Sequence, residues 1–294
     1  NIRIFQAPQS YTKSQKCFGF SKPEDSMYKP PFNFLYRTEY SPLPVWMSSS
    51  CGDMMNSIAY RWLSVSATLT KEVAKNLKGR SKSSQDWLVR QLKDPYVEKA
   101  RRENYRCRSA FKLLEINERF SILRPGQCVV DIGAAPGSWT QIAVSKTNSS
   151  GKDKARPKGF VVGLDRLALY PVEGAVLIGG CDFTVPEAER RLLEALDGRK
   201  VDVVLSDMAP NATGIKSMDH DAIISLVNKV LRFSEGISAD GASLLMKVWE
   251  GRFCRELERD VTAVYETARW VKPKSSRSDS AETFILGRGF KGTP

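Results

Sequence analysis

The sequence predicts an α/β protein built on a seven-stranded, mostly parallel, doubly wound sheet with a final antiparallel strand. Three observations predict it. From about residue 86, short β-type runs alternate with helical stretches, the pattern of a parallel sheet covered on both faces. Acidic residues close several of these runs, at Asp131, Asp165 and Asp207. The last two β-type runs are separated only by a short polar stretch, which suits an antiparallel pair.

The elements follow in order. Ser109 to Ile116 places apolar residues at helical spacing, with Ser109 set to cap the helix. Cys128 to Ile132 is the first strand, and a helix begins near Ser138. Lys146 to Lys158 is a polar insertion, read as a surface loop whose role stays open. Phe160 to Asp165 is the second strand, Val176 to Ile178 the third, and Pro186 to Leu196 a helix. Val201 to Asp207 is the fourth strand, with a helix over about 219–233. Ser243 to Trp249 is the fifth, followed by a helix from Glu256 to Thr267. Arg269 to Val271 and Thr283 to Leu286 close the chain as two adjacent strands.

The N-terminal part reads differently. Residues 1–54 carry Pro, Ser, Tyr and Lys without a sustained period and are read as an irregular extension whose place in the mature protein is open. Residues 55–85 form a basic, hydroxyl-rich, acid-poor segment and linker. That composition suits a mitochondrial presequence, with a plain basic arm as the alternative. Residues 86–294 make the folded domain.

The chain has 294 residues, 41% of them hydrophobic, and a net charge of +12. The apolar share excludes a wholly disordered chain, and no window approaches the ~18 apolar residues of a membrane-spanning helix. The positive charge favours a polyanionic partner, nucleic acid first. It is concentrated: fourteen Lys and Arg lie between Met55 and Lys112, against five acids. The six cysteines are scattered with no CxxC pair, and His220 is the only histidine. No structural zinc site or disulfide framework is expected from that set. His220 itself is read as a solvated residue at a helix start.

The chemistry-bearing segment is Asp131-Ile132-Gly133-Ala134-Ala135-Pro136-Gly137-Ser138-Trp139. A strand delivers an acid, a small-residue turn follows, and a helix begins, so a ligand can approach the backbone and unpaired N–H groups. The segment lacks the GxGxxG pattern of a pyrophosphate cradle, and Pro136 removes one donor. An amino-acid-bearing nucleoside fits it better. Asp165 is placed to take ribose hydroxyls and Asp182 to meet an adenine amino group. Acids at successive strand ends on one sheet edge mark a ligand crevice. Asp207 ends the fourth strand and Lys247 interrupts an otherwise apolar fifth one. Lys112 precedes the first strand and Glu282 opens the last.

These residues, with Tyr105 to Leu113, Ser206 to Gly214 and Ser276 to Glu282, make the chain resemble the FtsJ (RrmJ) family of RNA 2′-O-ribose methyltransferases. Within it, the likeness is greatest to the mitochondrial branch acting on uridine in large-subunit rRNA. The resemblance covers roughly residues 86–290 and implies a Rossmann-like class I methyltransferase fold. It implies S-adenosylmethionine as cofactor, contacted by Asp131, Gly133, Pro136, Gly137, Ser138, Trp139, Asp165, Asp182 and Asp207. It places the family's Lys-Asp-Lys-Glu tetrad on Lys112, Asp207, Lys247 and Glu282. Ribosomal RNA or a large-subunit precursor is the implied partner, a uridine of the A-loop the implied target, and the mitochondrial matrix the implied compartment; a monomer and no metal are expected.

Methyl transfer from a sulfonium to a ribose hydroxyl needs a weak acid to lose its proton. Lys247 is assigned to orient and deprotonate that hydroxyl, Lys112 to position the ribose, Asp207 to hold Lys247, and Glu282 to complete the network. Sequence leaves open whether neighbouring cations or carboxylates dominate the lysine's protonation. The stretch Arg90 to Arg108 and Lys272, Lys274 and Arg277 are expected to meet phosphates. Tyr105 and Trp249 are expected in the core. Base methylation is the nearest rival, 2′-O-methylation of another RNA such as an mRNA cap shares the same tetrad logic, a non-catalytic rRNA-binding assembly factor is the rival of another class, and a dehydrogenase is a distant third.

Overall fold

The computed structural model describes residues 82–292, apart from a few side chains of the first helix. The readings for 1–54 and for most of 55–85 lie outside the described residues. Three helices come first: α1 (Lys82–Leu92), α2 (Pro95–Arg102) and α3 (Ala110–Phe120). The alternating part follows as β1 (Cys128–Ile132), α4 (Ser138–Thr147), β2 (Phe160–Leu164), β3 (Ala175–Ile178), α5 (Pro186–Leu196) and β4 (Val201–Ser206). Then come α6 (Lys216–Ile237), β5 (Ser238–Trp249), α7 (Cys254–Val264), β6 (Tyr265–Val271) and β7 (Glu282–Phe290).

One seven-stranded sheet has the order β3-β2-β1-β4-β5-β7-β6. The pairs among β1 to β5 are parallel, and β7 runs antiparallel between β5 and β6. The chain reverses its direction of strand addition between β1 and β4, so a crevice opens at their carboxyl ends.

Strand alternation divides the core in two. Val130, Ile132, Val162, Leu164, Val204, Leu244 and Met246 pack into one cluster with residues of α5, α6 and α7. Val129, Val161, Val203, Leu205, Leu245 and Phe284 pack into the other, with α3 and α4. Asp131, Asp207 and Lys247 share the odd-numbered parity of this second set. Glu282 shares the parity of Phe284, which is the register partner of Lys247. A period of two therefore carries all four strand-borne side chains to the face covered by α3, the helix bearing Lys112.

Several boundaries depart from the sequence reading. α1 begins at Lys82, inside the stretch assigned to the linker. α2 is held by interactions that periodicity does not show: Asp94 is its N-cap, accepting from Tyr96 N at 3.0 Å, and Pro95 occupies the first turn. α6 continues past Phe233 because Ser234, fully buried, hydrogen-bonds Leu231 O and the Tyr265 hydroxyl. α7 stops at Val264 rather than Thr267, since Tyr265 turns extended and joins β6 opposite Phe290. Sheet pairing overrides helical spacing there. No helix among the described residues is long and apolar enough to cross a membrane.

Candidate active site

The tetrad is built from two ion pairs. Lys112 Nζ lies 2.6 Å from the Glu282 carboxylate, with both side chains largely buried. Ser276 Oγ donates to Glu282 Oε1 at 2.8 Å. Lys247 Nζ lies 3.0 Å from Asp207 Oδ1, while its hydrogen bond goes to the Asp207 backbone carbonyl. Asp207 Oδ1 is buried and takes no hydrogen bond. Burial alone would raise the Glu282 carboxyl, but Lys112, Ser276 and the nearby Lys247 outweigh it and hold it below the usual carboxylate range. The influence of Lys247 on Glu282 links the two pairs into one electrostatic group. The sequence assignment of Asp207 as the partner of Lys247 matches this arrangement, whereas Lys112 is turned to Glu282.

The turn after β1 is fixed from several sides. Its Ala135–Pro136 bond is cis, and Gly133 and Gly137 both have positive φ. Asp165, at the end of β2, accepts from Ala135 N at 2.9 Å and from Leu167 N at 2.7 Å. Asp182, exposed after β3, accepts from the backbone and hydroxyl of Thr184. These bonds hold its carboxyl below the ordinary value. Ser138 and Trp139 are buried and committed inward: Ser138 Oγ accepts from Cys107 N at 2.8 Å, and Trp139 Nε1 donates to Ser109 O at 2.9 Å. Pro136 is exposed at the rim.

Asp131 is fully buried and half satisfied. Its Oδ2 accepts from Thr140 Oγ1 at 2.6 Å, and its Oδ1 has no hydrogen-bond partner. Burial pushes this carboxyl up to about 7, against the Thr140 hydrogen bond, and the carboxylates of Asp207 and Asp165 add to the rise. Asp131 Oδ1, buried without a partner beside a glycine-bearing turn, suits a ligand with cationic and N–H donor groups. The residues present therefore fit S-adenosylmethionine, an amino-acid-bearing nucleoside with a positive sulfonium.

The raised carboxyl has a consequence for stability. An unfolded Asp titrates near ~3.9, so between that pH and about 7 the folded state holds the extra proton. Stability then falls as pH rises through this window and levels off above it. Asp131→Asn is expected to flatten that slope and to stabilise the free protein at pH 8, as read by denaturant unfolding at pH 5 and pH 8. An unchanged slope in the variant would remove Asp131 as its source.

Residues missed by sequence reasoning hold the site together. Arg106, expected to meet phosphate, instead donates to Pro136 O at 3.0 Å, Tyr170 O at 2.8 Å and Pro171 O at 2.7 Å. It ties the β1 turn to the segment after β2. Arg108 and Arg277, also assigned to phosphates, both pair with Asp94. Arg108 further donates to Ser275 O, and Glu115 accepts from Ser275 N at 3.2 Å. This network anchors the β6–β7 segment to α2 and α3 and so sets where Ser276 and Glu282 stand. Lys272 donates to Ser280 O at 2.9 Å within the same segment, while Lys274 is exposed. Arg106, Arg108, Ser276 and Arg277 had a signal, their places in the Tyr105–Leu113 and Ser276–Glu282 motifs, whereas Asp94, Glu115 and Ser275 had none. Tyr105 packs edge-on against Phe111, and Trp249 is half-buried against the core.

His220 is buried, contrary to the solvated reading. Its Nε2 accepts from Phe253 N at 3.0 Å, leaving Nδ1 to donate to Trp249 O at 3.0 Å. It braces the segment after β5 against α6.

A doubly wound sheet with this turn and two lysine–carboxylate pairs at its carboxyl edge has the architecture of a Rossmann-like class I methyltransferase. The chain belongs to the FtsJ-like methyltransferase family, whose model matches residues 105–290. It is 56% identical over 222 residues to the mitochondrial rRNA methyltransferase 2 of Drosophila melanogaster, covering 76% of this chain and 89% of that protein. It is 46% identical to ribosomal RNA large subunit methyltransferase E of Paramagnetospirillum magneticum, over 78% of this chain and 91% of that one. A Plasmodium falciparum protein solved as a ribosomal RNA methyltransferase matches with a TM-score of 0.57 and 25% identity, over 64% of this chain and 100% of that chain.

Proposed function

We propose that the protein transfers a methyl group from S-adenosylmethionine to the 2′-hydroxyl of a ribose in large-subunit ribosomal RNA. The observation that carries the reading is the convergence of the Lys112–Glu282 and Lys247–Asp207 pairs on one sheet face beside the Asp131–Trp139 turn. The relatives' activity on ribosomal RNA supports the substrate class. The resemblance to the mitochondrial branch supports the finer choice, a uridine of the A-loop methylated in the mitochondrial matrix during ribosome biogenesis. All four tetrad residues come from one chain, so a monomer suffices.

When bound, S-adenosylmethionine supplies an electrophilic methyl group on its sulfonium. Asp131 would offer its free carboxylate oxygen to the cofactor's cationic groups and Asp207 would do so while still pairing Lys247, with Asp165 and Asp182 at the strand ends where ribose and adenine would lie. Lys247 Nζ orients the acceptor hydroxyl and, as the neutral amine left once its own proton has passed to solvent, takes the hydroxyl proton, with Asp207 holding it in place. Lys112 fixes the ribose, with Glu282 and Ser276 fixing Lys112. General-base help contributes ~10²–10⁴-fold, whereas alignment of two bound reactants can supply ~7–11 kcal/mol. Positioning is the larger contribution.

Cys181, which a base-carbon methylation would need as nucleophile, is buried in the cluster on the other face of the sheet. That placement disfavours carbon methylation. The test is transfer of labelled methyl to unmodified large-subunit rRNA, followed by mapping of ribose-methyl sites. One 2′-O-methylated A-loop uridine is expected. Label found on a base would contradict the reading, and tight RNA binding with no transfer would favour the assembly-factor role.

A further inference from the structure

The insertion after α4 occupies the amino edge of the sheet, away from the crevice. It runs through Lys152, Lys154, Arg156 and Lys158, a basic residue at every second position, all exposed. The loop is ordered around one side chain. Asn148, buried at the end of α4, donates from Nδ2 to Asp153 O at 2.8 Å and Arg156 O at 3.1 Å, and accepts from Asp153 N at 3.1 Å. Its base is sewn to the neighbouring connection by Gly126 N and Gly159 N, both donating to Thr147 O at 3.0 Å. Arg199, from the α5–β4 turn, lies over the Phe160 ring at 4.6 Å, with Lys200 next to it in sequence. The basic loop and the Arg199–Lys200 turn thus stand side by side at the amino edge, joined at Phe160.

Acids do not neutralise it. Lys152 pairs with Glu173 at 2.8 Å, Arg156 with Asp153 at 3.1 Å and Arg199 with Asp197 at 3.6 Å, but exposed pairs of this kind are weak and screened. Among the described residues no ion pair engages Lys154, Lys158 or Lys200. A solubilising charge has no need of a fixed frame. A buried asparagine fixes the backbone that carries these cations, so only their side chains remain to be ordered, which favours binding of a polyanion.

We propose that this amino-edge surface is a second RNA contact, holding a segment of the substrate distant from the acceptor nucleotide. The inference rests on the reading that the substrate is ribosomal RNA. Strands of five residues separate the two edges by about 17 Å, so an RNA reaching both must extend around the flank of the domain. A short hairpin seated at the crevice has no need of the loop, whereas a long rRNA segment engages both sites.

The experiment compares wild type with the triple variant Lys152→Ala, Lys154→Ala, Lys158→Ala, on a short A-loop hairpin and on a long rRNA fragment containing it. Binding is measured against salt, and methyl transfer is followed separately. Each lost phosphate contact lowers the slope of log K against log salt by about 0.7–0.9. The triple variant is expected to lose about two units of slope and roughly tenfold or more in affinity on the long RNA. On the hairpin, binding and transfer should match wild type. Equal behaviour of the two proteins on the long RNA would overturn the proposal, and so would an equal loss on both RNAs. Wild type that binds the long RNA through the loop yet transfers no methyl would sustain the surface and refute the assigned reaction instead.

Discussion

Lys247→Ala is expected to lower turnover by roughly 10²–10⁴-fold while leaving cofactor affinity nearly unchanged. The lysine sits on a central strand, between Met246 and Val248, both fully buried. It reaches Asp207 at the end of the neighbouring strand. Its loss removes the group nearest the proposed acceptor but none of the turn that holds the nucleoside. A role confined to the transition state lowers kcat and kcat/KM together. Lys247→Met controls for packing, since it keeps the aliphatic stem and removes the charge. Cofactor affinity measured by calorimetry separates the roles: an equal loss of binding and turnover would place Lys247 in the cofactor site rather than on the acceptor.

The second large effect is expected at Gly133. Its φ is +85°, and a Cβ there would lie 2.5 Å from Met208 Cγ and 3.0 Å from Met208 N. The backbone atom cannot move aside without shifting the residue that follows Asp207. Gly133→Ala thus combines a conformational cost of about 1–3 kcal/mol with a collision between the β1 turn and the segment after β4. Both carry proposed cofactor contacts. Cofactor binding should be lost and the melting temperature should fall by several degrees. Gly198→Ala is the comparison: its φ is also positive, +73°, but a Cβ there meets nothing within 4 Å. A Gly133→Ala protein that binds cofactor as wild type does would show that the turn is not the cradle.

The succession of strands along the chain was legible because each core strand carries its own apolar run bounded by a turn. Lys247 and Asp207 stood out in the sequence because an ionisable residue inside or just beyond such a run conflicts with burial unless something pairs it, whereas their grouping with Lys112 and Glu282 rested on the family resemblance. What could not be read was the frame around them. Asp94 is an unremarkable acid in sequence, yet it caps α2 and holds Arg108 and Arg277, residues far apart along the chain. Arg106 and Arg108 look like phosphate ligands by composition, but carbonyls and a carboxylate brought near by folding claim them first. His220 failed in the same way, since the atoms that bury it come from the segment after β5. Local pattern specifies elements, whereas long-range polar pairing appears only once they are packed.

The most direct test of the central claim removes a single atom from the substrate. An A-loop hairpin carrying 2′-deoxyuridine at the mapped acceptor keeps the base, the phosphates and the fold of the RNA. Binding to this RNA should persist and methyl transfer to it should vanish, while the ribose-containing hairpin is methylated. Transfer of label to the deoxy substrate at the same nucleotide would contradict the 2′-hydroxyl as acceptor, and with it the role given to Lys247.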